Sequence, residues 1–201
     1  RRIRRVDRDG RIWTAAELDS PGCQGLPNDL DVDSAGNLYI ALENRLADAA
    51  WCGGIWKMGP GGSVNRFSTT ALGTALFRGV DVLDDGRVAF TKWSCPAELG
   101  PDGSPAQTLP GSWKGYCYVY MNEDGPLFFG DGQIASHLTR YFGTEHLAVA
   151  PDGTTYVADA LNWRIRSIRP DGIVRTFAGG GSSLAGADGL SPESSALYHP
   201  R

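Results

Sequence analysis

Three stretches of this chain share one pattern, and that pattern limits the fold more than any other feature. Residues 29–41, 80–90 and 147–159 each run apolar and polar residues in alternation, turn at a glycine (Gly36, Gly86, Gly153), and alternate again. Period-2 alternation on both sides of an Asp-Gly or Ala-Gly turn predicts a β-hairpin, because glycine supplies the positive φ that a tight turn needs. A second hairpin unit follows each of the three, and one copy stands alone at the start. Its turns fall at Asp9-Gly10, Gly61-Gly62, Asp124-Gly125 and Asp171-Gly172. The stretch from Arg2 to Gly10 aligns closely with that from Arg164 to Gly172, so Arg2 and Arg4 reappear as Arg164 and Arg166. That recurrence makes the basic cluster a solvated strand face rather than an anion site.

Two hairpins per repeat make a four-stranded antiparallel unit. The first-hairpin glycines stand 50 and then 67 residues apart, which places insertions between second and third strands, the longest over residues 96–114. That segment is rich in Pro, Gly and Ser and reads as a surface loop. Repeats of about 40 to 50 residues with glycine turns are the signature of β-propeller blades, whose faces are buried only by their neighbours. A sandwich is the competing all-β fold, but a Greek key would not repeat whole hairpin pairs in fixed order. The 27 glycines fit many tight turns, and without a three-residue period they do not indicate collagen.

The third repeat resembles a known family. Leu147 to Asp159, with Tyr156-Val157-Ala158-Asp159, followed by Asn162-Trp163-Arg164-Ile165, is similar to the NHL repeat, and 177–201 resembles its inter-blade segment. The expected organisation is a partial NHL-type propeller of about three and a half blades: the end of one blade over 1–20, blades over 26–72, 77–133 and 144–181, and an inter-blade segment over 182–201. NHL propellers usually have six blades, so the ring is expected to close through a longer polypeptide or, alternatively, through another chain. No run of about 18 apolar residues is present, so no membrane-spanning helix is expected.

Four cysteines, Cys23, Cys52, Cys95 and Cys117, match no zinc spacing. In the blade register all four fall at one end, where Cys95 with Cys117 and Cys23 with Cys52 are the local pairings; the alternative is four buried thiols. Each disulfide would add about 3 kcal/mol and would imply an extracellular, periplasmic or cell-surface location.

Chemistry is sparse. The histidines His137, His146 and His199 occupy no common repeat position. Peptide-amidating lyases of this fold hold zinc with histidines from separate blades, a likeness that would put His146 near the channel mouth. Asp31 and Asp81 hold matching places in two innermost strands, where carboxylates could take calcium or hydrogen-bond the next blade's backbone. No metal or cofactor is expected; the exceptions are calcium, with Asp31 and Asp81 as the candidate ligands, and the zinc that the lyase likeness would place at His146. Several of the six tryptophans are expected to fill space between blades, while Trp51, Trp113 and the adjacent Tyr116 are candidate anchors for a protein partner or a carbohydrate ring. The 23 acidic against 19 basic residues argue against nucleic acid. The expected role is an extracellular, non-catalytic binding or structural module that offers a loop-rich face to a protein or to its own copies. A metal-dependent lyase or hydrolase with its site at the channel mouth is the alternative.

Overall fold

The computed structural model describes residues 1–18, 25–43, 53–69, 76–92, 95–106, 131–132, 143–180 and 189–201. Its strands form three four-stranded antiparallel sheets and one two-stranded sheet, each in simple sequence order. Strands β1 (Arg2–Val6) and β2 (Ile12–Glu17) make the two-stranded sheet. The first full sheet holds β3 (Leu26–Val32), β4 (Leu38–Glu43), β5 (Gly54–Met58) and β6 (Val64–Arg66). The second holds β7 (Phe77–Val82), β8 (Val88–Lys92), β9 (Cys95–Leu99) and β10 (Pro105–Ala106). The third holds β11 (Thr144–Val149), β12 (Thr155–Asp159), β13 (Arg164–Ile168) and β14 (Val174–Gly179). The first strands of successive sheets, β3, β7 and β11, lie beside one another, so the sheets follow each other as blades around an inner edge.

The hairpin turns repeat one geometry. At Asp33–Asn37 the Gly36 N–H donates to the Asp33 carbonyl at 2.9 Å and the Asp33 N–H to the Asn37 carbonyl at 3.0 Å; the turns ending at Arg11, Ser63, Arg87, Ser104, Thr154 and Ile173 bond alike. A left-handed glycine in the fourth place closes each of them. Apolar faces are buried between sheets. Tyr39, Ala41 and Ile55 of the first blade meet Phe77, Val80, Val88, Phe90, Ala97 and Leu99 of the second in one cluster. Ala89 of the second blade packs with Leu147, Val157, Ile168 and Val174 of the third. The two-stranded sheet covers part of the first blade through Ile3, Ala16 and Leu18 against Ile40 and Leu42. Each fully buried Phe or Ile contributes about 1.5–3 kcal/mol relative to exposure.

Three sequence expectations are corrected here. Residues 96–114 do not form a loop throughout: the third strand of the second blade begins at Cys95, directly opposite Lys92 of β8, and Asp102-Gly103 makes the turn into β10. All five residues of β9 are buried, so the strand lacks the alternation that would reveal it. The hairpin expected at Asp124-Gly125 lies outside the described residues. The recurrent arginines also differ in their surroundings. Arg4 is exposed, whereas Arg166 is fully buried and donates to Asp131 at 2.9 Å, because residues 131–132 fold over β14. Finally, Trp13 and Trp163 are half-exposed rather than packed between blades. Trp13 instead donates to Asp7 across its own hairpin, and Trp56 is partly buried against the core.

Candidate functional site

The inner edge is built by β3, β7 and β11, and their shared turn geometry sets which residues correspond. Counting back from Gly36, Gly86 and Gly153 puts Asp31, Asp81 and Ala148 at one place and Asp29, Gly79 and His146 at the place two residues before. A bulge falls at the same point in all three strands, between Pro27 and Asp29, between Phe77 and Val80, and between Thr144 and Leu147. Bulges bend a strand and re-aim its side chains. In β3 and β7 the strand residues that follow the bulge include Asp29, Asp31 and Asp81, whose carboxylates reach the next blade.

Each of those carboxylates accepts a backbone hydrogen bond from its neighbour. Asp29 Oδ2 takes the Val80 N–H at 3.0 Å, Asp31 Oδ2 takes the Val82 N–H at 2.8 Å, and Asp81 Oδ2 takes the Val149 N–H at 2.5 Å. Asp31 Oδ1 also accepts from Val32 N–H at 2.8 Å. Asn28 adds another tie, donating to the Phe77 carbonyl at 2.6 Å and to buried Glu43 at 2.8 Å. Gly79 makes room for the third blade, since a Cβ there would stand 3.0 Å from His146 Cα and 3.1 Å from the Leu147 nitrogen. Across that gap His146 Nδ1 lies 3.3 Å from Asp29 Oδ2, joining the first and third blades. Beside it Glu145 accepts from Arg78 at 2.9 Å and pairs with Arg201 at 3.1 Å.

Burial raises the Asp81 carboxyl above its ordinary range, opposed by the Val149 N–H; the nearby negative charges of Asp31 and Asp29 raise it further. The arrangement therefore brings the sequence candidates Asp31, Asp81 and His146 to one edge and adds Asp29, which sequence reasoning passed over. Its signal was present in the alternation of Asp29 and Asp31 on one strand face. Among the described residues no group of three or more His, Cys, Asp or Glu side chains is disposed to hold a metal ion. Cys95 is disulfide-bonded, with its partner outside the described residues. Cys23, Cys52, Cys117, Trp51, Trp113 and Tyr116 also lie outside them.

Comparison with solved structures now places the architecture. The chain is similar to a structural-genomics protein of unknown function from Bacteroides thetaiotaomicron, with TM-score 0.64 and 17% identity over 96% of this chain and 45% of that one. It is similar to an auxiliary nutrient binding protein from the same organism, with TM-score 0.61 and 15% identity over 97% and 46%. A streptogramin B lyase gives TM-score 0.58 and 15% identity over 92% and 50%. The fold is a β-propeller. At these identities the likeness extends to the fold alone, and the chain spans about half the length of the structures it matches. No protein-family model matches it, and no curated protein does. Among the described residues no helix is long and apolar enough to cross a membrane.

Proposed function

We propose that this chain is an NHL-type, non-catalytic module that acts by presenting propeller surface to a protein, foremost to further copies of itself. One observation carries the reading. In the first blade Tyr39 and Phe67 meet edge to face at 5.1 Å, and with Ile55 they form the face that the second blade covers. In the third blade Tyr156 and Phe177 stand at the corresponding places and meet alike at 4.8 Å. Here the face is open: Tyr156 and Ile165 are half-buried and Phe177 is 45% exposed, against 3% for Tyr39 and 0% for Ile55. A face of this composition is suited to burial against a further blade, supplied by the same polypeptide or by another copy.

Sedimentation of the chain tests this at about 100 μM, where a contact of about −5.5 kcal/mol is half-populated. Association that Phe177→Asp abolishes is the expected result; a monomer at that concentration would overturn self-assembly. The disulfide at Cys95 supports an oxidising compartment, hence an extracellular, periplasmic or cell-surface site of action, and Cys95 with Cys117 and Cys23 with Cys52 are the proposed pairings. Trp51, Trp113 and Tyr116 are proposed as further anchors on the disulfide end.

A second reading, a metal-dependent lyase or hydrolase, draws on the convergence of Asp29, Asp31, Asp81 and His146 at the inner edge. Stoichiometric calcium or zinc in the purified protein, lost in Asp31→Ala, is the measurement that would favour it. Against it stands the use of the three carboxylates as acceptors for backbone N–H groups.

A further inference from the structure

The third blade holds a line of polar contacts that its two neighbours do not repeat. It begins at residues 131–132, which lie against the outer strand β14. The Gly132 N–H donates to the Val174 carbonyl at 2.7 Å, and Asp131 accepts from Arg166 Nη2 at 2.9 Å and from the Thr176 hydroxyl at 2.5 Å. The Arg166 side chain is wholly buried, and its Nη1 stands 4.0 Å from Oδ2 of Asp159, a second wholly buried side chain. A buried cation is costly unless carboxylates attend it. Asp159 in turn accepts from Asn162 Nδ2 on both oxygens, at 3.0 and 2.9 Å, which ties down the 3-10 turn Ala160–Asn162. That turn ends on Trp163, held at φ 55° and ψ 42° with its N–H on the Ala160 carbonyl at 3.1 Å. A left-handed backbone is strained for a bulky residue and persists only where its surroundings impose it. Gly179 makes the room, since a Cβ there would stand 2.3 Å from the Trp163 carbonyl oxygen. The places of Asp159 and Arg166 hold Leu42 and Trp56 in the first blade, and Lys92 and Ala97 in the second.

We propose that this line is a conformational relay: the Asp131 carboxylate, at the outer edge, holds Trp163 in its strained conformation at the end of the blade where β12 passes to β13. With Asp131 in place the Arg166 charge is balanced from the outer side, and Asp159 keeps both oxygens on Asn162. A cationic side chain of a partner that draws Asp131 away leaves the buried guanidinium to be met by Asp159. Asp159 then turns an oxygen from Asn162, the 3-10 turn loosens, and Trp163 leaves the left-handed region. Asp131 is reachable for this, its side chain being 33% exposed. Coupling of this kind runs through contiguous contacts to an element with two arrangements, here the turn over residues 160–163. The relay is independent of the Tyr156–Phe177 contact, which Phe177→Asp decides separately.

Amide exchange, followed residue by residue in the 201-residue protein, tests the relay. Asp131→Asn keeps an oxygen for Arg166 and Thr176 but removes the charge. It should speed exchange of the Trp163 N–H about tenfold, the scale of one left-handed residue's strain, while the amides of β13 and β14 keep their rates. Adding Trp163→Gly, which takes the same backbone conformation without strain, should cancel the acceleration at position 163. Tetra-arginine at about 1 mM, the cationic probe, should speed the same amide in the parent and leave Asp131→Asn unchanged. An unaltered rate at position 163 in Asp131→Asn, acceleration spread evenly over β13 and β14, acceleration that survives Trp163→Gly, or no response of the parent to tetra-arginine would overturn the proposal.

Discussion

Asp81 shows how one side chain serves both the fold and its pH response. Its carboxyl is raised chiefly by burial and then by Asp31 and Asp29, so the folded state holds the proton more tightly than the unfolded chain does. Stability from this group is therefore fully present below the ordinary carboxylate value of about 4 and is lost as pH rises through the raised folded value. Asp81→Asn keeps an oxygen for the Val149 N–H and removes the titration. Melting curves across that window should be flatter for the variant than for the parent, and equal slopes would show that Asp81 carries no such linkage. Little of this was legible in residue types. The matching of Asp31 with Asp81 was visible in the repeat, but the donors they meet are 51 and 68 residues away along the chain, a separation that only blade packing bridges. Arg166 is the opposite case: its recurrence at the place of Arg4 suggested a wet face, and in the fold it is buried against a distant Asp131.

At the level of strands and turns, the glycine positions carried most of the information. Gly10, Gly36, Gly62, Gly86, Gly153 and Gly172 all hold positive φ and all were readable from local sequence. Gly103 does so too, with φ +76°, yet it went unread because the strand before it is wholly buried and contains Pro96. Its substitution separates two effects. A Cβ at Gly10 meets nothing within 4 Å, whereas one at Gly103 would sit 2.0 Å from the Phe67 carbonyl oxygen of the preceding blade. Gly10→Ala should cost about 1–2 kcal/mol, the backbone strain alone. Gly103→Ala should cost clearly more, since the turn must also withdraw from Phe67 and loosen the bond from Thr69 N–H to the Gly103 carbonyl. Urea unfolding of both variants measures the difference, and equal losses would mean that the turn does not dock on its neighbour.

Across the whole molecule, stability follows from contacts between adjacent sheets, as in other repeat architectures. The seam between the first and second blades is densest in fully buried side chains, including Ala41, Ile55, Phe77, Val88, Phe90 and Leu99 at 0% exposure. In the two-stranded sheet Val6, Ile12 and Trp13 are all half or more exposed. Native-state hydrogen exchange should therefore find the amides of β8 slowest and those of β1 and β2 fastest. Uniform exchange would instead indicate one cooperative unit. The sequence by itself determined the hairpins, their order and their grouping into blades, because turn chemistry and period-2 alternation act between residues a few positions apart. Tertiary structure alone decided which carboxylates bridge blades, which arginine is buried, where the third strand of the second blade begins, and which apolar faces stay open. Those outcomes depend on what lies against a strand, and a blade's neighbour is set by packing across some fifty residues or more, beyond the reach of any local pattern.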